Sequence, residues 1–187
     1  MNISKMLPSD TFKDKTVLVT GGGTGLGKSI GKHILELGGQ LIITSRRNEV
    51  IEKTANEFND LYPNSTLHVA GDVRNIEDVE NVINKGFEKF GSVDMLINNA
   101  AGNFISPTER LSANAFSVVI DIVLKGTCNY TLTLGKKWIN DKTEGTILNI
   151  ATTYAMTGSG YVIPSAAAKG GVLTFTRSIA AEWAKYN

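Results

Sequence analysis

The feature that most restricts this chain is a glycine cluster, Thr20-Gly21-Gly22-Gly23-Thr24-Gly25-Leu26-Gly27, set between an apolar stretch and a helical pattern. Val17, Leu18 and Val19, just before it, are too uniformly apolar for a strand with one wet face, so both faces of that strand should be covered. Glycine lets the backbone turn sharply and come close to a pyrophosphate, and the N-terminus of the following helix favours negative charge. A glycine-rich turn alone can be nothing more than a tight turn. A strand before it and a helix after it supply the setting that phosphate binding requires.

The same alternation continues along the chain. It predicts strands over Thr16–Thr20, Gln40–Ser45, Thr66–Ala70, Met95–Asn98 and 146–150, with helices over about 26–37, 49–59, 76–90, 113–139 and 165–186. Gly38-Gly39 and Gly91 close the first and third helices, and Ser112 is the expected N-cap of the long fourth one. Five strands alternating with five helices predict an α/β fold, a Rossmann-type doubly wound parallel sheet with right-handed crossovers. Ligands of such sheets sit beyond the carboxyl ends of the strands, where the strand order reverses.

With 187 residues, 42% hydrophobic and 20% charged, the chain fits one globular domain over residues 1–187. A net charge of +1 gives no general attraction to nucleic acid or membrane, so an anionic ligand must be met by locally placed Lys and Arg. A single cysteine, Cys128, rules out an intrachain disulfide and a cysteine-based zinc site. No run is apolar enough over its length to span a bilayer, and neither an Arg-rich amphipathic pattern nor a hydrophobic signal region opens the sequence.

The second strand ends in Ser45-Arg46-Arg47-Asn48, with no acid. Folds of this type that take NAD place a carboxylate there to accept from the ribose 2′-hydroxyl. Two guanidinium groups suit the 2′-phosphate of NADP(H) instead. A solvated pair opening a helix is the plainer alternative.

The spacing Gly21-x-x-x-Gly25-x-Gly27 resembles the short-chain dehydrogenase/reductase family. On that resemblance Gly21, Gly23, Thr24, Gly25, Leu26 and Gly27 hold the pyrophosphate, and Ser45, Arg46 and Arg47 the adenosine ribose. Asp72-Val73 resembles the family's adenine-contacting pair, with the aspartate accepting from the amino group. Asn98-Asn99-Ala100-Ala101-Gly102 resembles the Asn-Asn-Ala-Gly turn beside the nicotinamide ribose, which adds Asn99, Ala100 and Ala101 to the cofactor set; the second alanine is an insertion relative to the usual form.

The family's catalytic signature is altered. Members usually carry Asn, Ser, Tyr and Lys, the last two spaced Tyr-x-x-x-Lys on one helix face so that lysine lowers the tyrosine pKa. Four residues before Lys169 stands Ser165; the serine position is Thr152 and the asparagine position Val123. An ordinary alcohol/ketone oxidoreductase is disfavoured, and either the site is inactive or its acid has moved. Tyr154, just beyond the fifth strand, and Asn103, just beyond the Asn-Asn turn, are the candidates. Each could also be an ordinary loop polar group.

The runs Asn-Asn-Ala-Ala-Gly-Asn-Phe-Ile-Ser-Pro-Thr-Glu-Arg-Leu-Ser from Asn98, Thr-Tyr-Ala-Met-Thr-Gly-Ser-Gly-Tyr-Val-Ile-Pro-Ser from Thr153, and Ala-Ala-Glu-Trp-Ala-Lys-Tyr from Ala180 are similar to NADPH-dependent 2,4-dienoyl-CoA reductases. The likeness extends from about Met6 to the end of the chain. It implies that Lys169 anchors the nicotinamide ribose, that Ser165 helps fix the network, and that Tyr154 and Asn103 hydrogen-bond the thioester oxygen. It also implies Arg74, Phe104 and Ser112 as contacts of the acyl-CoA substrate, although Arg74 could equally cap a nearby carboxylate. The expected reaction places hydride at C5 and a proton at C2, giving the trans-3-enoyl-CoA during β-oxidation of unsaturated fatty acids. Reduction of another enoyl thioester, or a non-catalytic NADP-binding module, are the competing readings.

His33 and His68 read as structural, Arg110 and Lys125 as surface charges, and Cys128 as a packing residue; no metal is expected. Trp183 could pack or serve an oligomer contact. The resemblance implies a homo-oligomer, a tetramer built on the two long helices, working in a bacterial cytoplasm or, without a presequence, in a mitochondrial matrix. Family members continue past the last helix, so the sequence is expected to be C-terminally truncated.

Overall fold

The computed structural model describes residues 7–186. Five strands, β1 (Thr16–Thr20), β2 (Gln40–Ser45), β3 (Thr66–Ala70), β4 (Met95–Asn98) and β5 (Thr146–Asn149), form one sheet in the order β3-β2-β1-β4-β5. All neighbours are parallel, with Val17 level with Leu41 on one side and Met95 on the other. The chain builds outward from β1 to β3, then crosses back to β4. The reversal therefore lies between β1 and β4, above Thr20 and Asn98.

Strand alternation divides β1 between two cores. Val17 and Val19 pack with Leu41, Ile43, Ile34 and Phe58 beneath helices α1 (Gly25–Glu36) and α2 (Asn48–Leu61). Leu18 faces the other way, with Ile42, Leu96, Val82, Tyr130, Leu134 and Trp138, beneath α3 (Ile76–Phe90) and α5 (Gly126–Asp141). Each such side chain, removed wholly from water, contributes roughly 1.5–3 kcal/mol. This two-sided burial explains why β1 and β2 read as continuous apolar runs.

Helix boundaries follow local chemistry. The Asn75 side chain accepts from the Glu77 amide, Glu77 and Asp78 favour the positive end of α3, and Gly91 ends it at φ 82°. Ser112 caps α4 (Ala113–Ile120) by accepting from the Ala115 amide at 3.1 Å. The long helix is not uniform, however. Residues Asp121–Lys125 form a π turn between α4 and α5, in which Gly126 N–H donates to the Asp121 carbonyl.

Other features besides the π turn depart from the sequence expectation. A short helix α6 (Tyr154–Thr157) lies between β5 and the last helix, a 3-10 turn occupies Thr108–Arg110, and β5 ends one residue early at Asn149. The last helix, α7 (Ile163–Trp183), begins two residues earlier than expected because Pro164, preset for helical φ, occupies its first turn; a 3-10 turn over Ala184–Tyr186 completes it. Among the described residues no helix is long and apolar enough to cross a membrane.

Candidate active site

The glycine turn and the Asn-Asn turn are locked together by the last residue of β1. Thr20 Oγ1 accepts from the Asn99 and Ala100 amides, each at 3.0 Å, and Asn99 Nδ2 donates to the carbonyls of Thr20 and Gly21. Thr20 was not anticipated as a site residue; its only signal is a hydroxyl closing an otherwise apolar strand. Gly27 sits where any Cβ would strike the Gly21 carbonyl and Asn99, so glycine there is what lets α1 start this close to β1.

At the head of α1 the amides are open. The first backbone bond of the helix runs from Lys28 N–H to Thr24 O, which leaves the Gly25, Leu26 and Gly27 amides without helical partners. Thr24 makes no side-chain cap, and the first turn carries no acid. Gly25 adopts φ 53° with open space where a Cβ would stand. A helix end with free amides and no internal anion fits a pyrophosphate.

A cavity of about 540 Å³ opens from this point over the sheet's switch point. Gly21, Gly23, Thr24, Gly25, Leu26, Ser45, Arg46, Arg47, Asp72, Val73, Asn99, Ala100 and Ala101, all nominated from the sequence, line it. Val50, Gly71 and Ile122 join them without having been foreseen. Gly27 lies below it in the helix–strand contact. Arg46 and Arg47 are exposed and unpaired among the described residues, so the end of β2 offers two free positive charges to a ligand phosphate.

Arg74 is differently placed. Its Nε donates to both Asp72 carboxylate oxygens, at 2.9 and 3.1 Å, and its Nη2 to Oδ2 at 2.5 Å. The guanidinium holds the Asp72 carboxyl below the usual carboxylate range, and Asp72 raises the Arg74 pKa in return. The carboxylate-capping alternative is the arrangement observed, and a substrate phosphate would have to share Arg74 with Asp72.

Beyond β5 the altered signature assembles. Tyr154 heads α6, and its hydroxyl lies 2.9 Å from Ser165 Oγ on α7. Ser165 is 4% exposed and Lys169, one turn on, 5% exposed. Lys169 Nζ donates to the Ile150 carbonyl. Burial pushes the Lys169 ammonium below the usual lysine range. Val123, at the position where the family carries asparagine, is fully buried with Val119, Ala168 and Val172, and so packs the α4–α7 contact with no polar group to offer. Thr152 Oγ1 is buried without a hydrogen-bond partner.

Asn103 and Phe104 are exposed on the loop after β4, and the Asn103 side chain has no hydrogen-bond partner among the described residues. That loop is joined to the segment after α6 by a bond from Ser106 N–H to the Tyr161 carbonyl at 3.0 Å. The two loops that carry Asn103 and Tyr154 are thus linked, although the two side chains do not meet directly. The Ser112 hydroxyl is engaged as the cap of α4. Trp183 packs its ring where a Cβ on Gly135 would stand, and His33 bonds Glu36 at 2.7 Å.

Comparison with known proteins places this arrangement. The family model described as short chain dehydrogenase matches residues 15–187. A probable 2,4-dienoyl-CoA reductase, (3E)-enoyl-CoA-producing, of Caenorhabditis elegans is 45% identical over 184 residues, covering 98% of this chain and 60% of that protein. A probable (2E)-enoyl-CoA-producing 2,4-dienoyl-CoA reductase of Bacillus subtilis is 42% identical over 172 residues, covering 92% of this chain and 67% of the relative. The crystal structure of a short chain dehydrogenase from Bacillus anthracis superposes with a TM-score of 0.89 at 44% identity, covering 92% of this chain and 69% of that one. The chain spans 59–60% of the length of the three Caenorhabditis elegans relatives that it matches.

Proposed function

The chain belongs to the short-chain dehydrogenase family, and on that premise we propose that it is the nucleotide-binding and catalytic part of an NADPH-dependent 2,4-dienoyl-CoA reductase. The observation that carries this reading is the Tyr154–Ser165 hydrogen bond set one turn from a buried Lys169, in place of a Tyr-x-x-x-Lys pair. The relatives' names support it independently.

NADPH, when bound, supplies the hydride. The chain's residues have a different task. Adding hydride to the far end of a conjugated thioester drives charge onto the carbonyl oxygen, and the proton ends on carbon rather than oxygen. What is needed is donors aimed at a developing oxyanion, not a strong acid. Tyr154 O–H serves as one donor, while the Ser165 hydroxyl donates to the phenol oxygen and keeps it in place. Asn103 Nδ2, free of other partners, is the second donor. Lys169 adds positive charge beneath the site and holds the nicotinamide ribose. Arg46 and Arg47 select the 2′-phosphate. Phe104 and Ser112 lie on the substrate side, and Arg74 lends its charge to the CoA nucleotide only in part, because Asp72 already holds it.

The test is NADPH oxidation with a 2,4-dienoyl-CoA against a 2-enoyl-CoA control. Turnover of the dienoyl substrate is expected, with Tyr154→Phe and Asn103→Ala each lowering kcat by about 10²-fold or more, the scale of losing an oxyanion donor. Unchanged turnover in Tyr154→Phe would remove that residue from the mechanism. NADPH binding without turnover of either thioester would favour a binding module. The product proposed is the trans-3-enoyl-CoA; because one relative is named for a (2E) product, NMR of the product decides where the proton lands.

A further inference from the structure

The segment Gly71–Asn75, beyond β3, closes one wall of the cavity, and its backbone amides are almost all committed. Gly71 N–H donates to Ser45 O, Asp72 N–H to Asp78 Oδ2, Arg74 N–H to Asp72 Oδ1 and Asn75 N–H to Asp72 O. Among the described residues only the Val73 amide in this turn has no partner, and Val73 lines the cavity. Beside it the Asp72 carboxylate, kept ionised by Arg74, is an acceptor. An unpartnered donor next to an acceptor matches the edge of adenine, which offers a ring-nitrogen acceptor beside an amino donor.

What holds that peptide in place comes from across the fold. Asn129 Nδ2, on α5, donates to the Val73 carbonyl at 2.9 Å and lies 3.4 Å from the Arg74 carbonyl. One turn earlier, Gly126 presses so closely on Val73 that a Cβ there would stand 2.8 Å from the valine Cβ. Helix α5 thus grips the turn at two points. The side-chain amide is the one that fixes a carbonyl's direction.

We propose that Asn129 is a positioning residue for base recognition: by holding the Val73–Arg74 peptide it keeps the Val73 amide available to the adenine of the dinucleotide. This rests on the NADPH reading above. Asn129 does not line the cavity, so its substitution acts through the Val73 and Arg74 carbonyls that it holds.

The experiment compares binding of NADPH with that of its reduced hypoxanthine analogue, by calorimetry on the full chain. Hypoxanthine reverses the donor and acceptor of the base edge and leaves every phosphate and ribose unchanged. The wild-type chain is expected to prefer NADPH. Asn129→Leu, close in shape but without the donor, is expected to reduce that preference about tenfold by weakening NADPH alone, the worth of one net hydrogen bond. Asn129→Asp, which keeps the shape and removes both N–H groups, is measured beside it in case the leucine variant does not fold. A preference unchanged in the folded variants, or equal losses for both dinucleotides, overturns the inference and leaves the NADPH reading standing. A wild-type chain without base preference also overturns it. A wild-type chain that binds neither dinucleotide sinks both.

Discussion

Lys169 meets two demands that oppose each other. Its burial favours the neutral amine, whereas the role proposed for it beside the nicotinamide ribose needs the ammonium. Because its pKa is lowered, protonation is lost earlier as pH rises, and with it the positive charge. The alkaline limb of the kcat/KM profile is therefore expected to fall below the usual lysine value of about 10.4. Lys169→Arg, which cannot deprotonate in that range, should push that limb upward even if turnover drops; a limb that stays where it was in this variant would assign it to another group. Arg46 and Arg47 make the complementary case, exposed cations without internal partners. Arg46→Ala and Arg47→Ala are each expected to weaken NADPH binding about tenfold while leaving NADH binding unchanged, since a charge-assisted bond to the 2′-phosphate is what they lose. Fluorescence titration of both dinucleotides checks this.

At the scale of elements, the closest fit between α1 and β1 runs through Gly27. Gly27→Ala is expected to cost about 1–3 kcal/mol as an overpacked contact, read by denaturant unfolding, and to weaken dinucleotide binding with it. The strands β1 to β4 were legible residue by residue: β1 and β2 announce themselves as buried apolar runs, whereas β3, at the sheet border, shows Leu67 and Val69 alternating with His68. Ser112 and Gly91 marked helix ends for equally local reasons. The π turn at Asp121–Lys125 was not legible. Beside it the Thr127 hydroxyl donates to the Val123 carbonyl at 2.7 Å, and Val123 packs against Ala168 and Val172 of α7, a contact between elements distant in sequence. The same holds for α6, whose first residue is tied to α7 through Ser165. Most residues lining the cavity could be named from the sequence, the glycine turn because its motif is local and Asp72-Val73 and Asn99–Ala101 by resemblance, whereas Val50, Gly71 and Ile122 could not. The arrangement around Asn103 and Tyr154 could only be inferred from resemblance, since it depends on how two loops meet.

Taken as a whole, the molecule is finished unevenly. β5 forms one border of the sheet with Leu148 49% exposed, and an apolar cavity of about 250 Å³ lies between α5, β5 and α7 against Trp138, Phe175 and Trp183. A strand edge of that kind invites pairing with another chain. The chain as given is expected to self-associate with rising concentration, and Leu148→Lys to suppress this in light scattering; equal scattering from both would locate the sticky surface elsewhere. The carboxyl end of the central strands has an opening of its own, of a more useful sort. The head of α1 lacks any side-chain cap of its own, so its amides are left to water or to a ligand from solution. The dinucleotide is then a component of the fold as much as a reagent, and stability becomes a report on its concentration. At a hundred times its dissociation constant it adds about 2.7 kcal/mol, or roughly 5–10 °C of melting temperature for a chain of this size. A cell holding little of the dinucleotide, oxidised or reduced, would keep this protein closer to unfolding, because both forms carry the same pyrophosphate; its lifetime is then tied to the size of that pool.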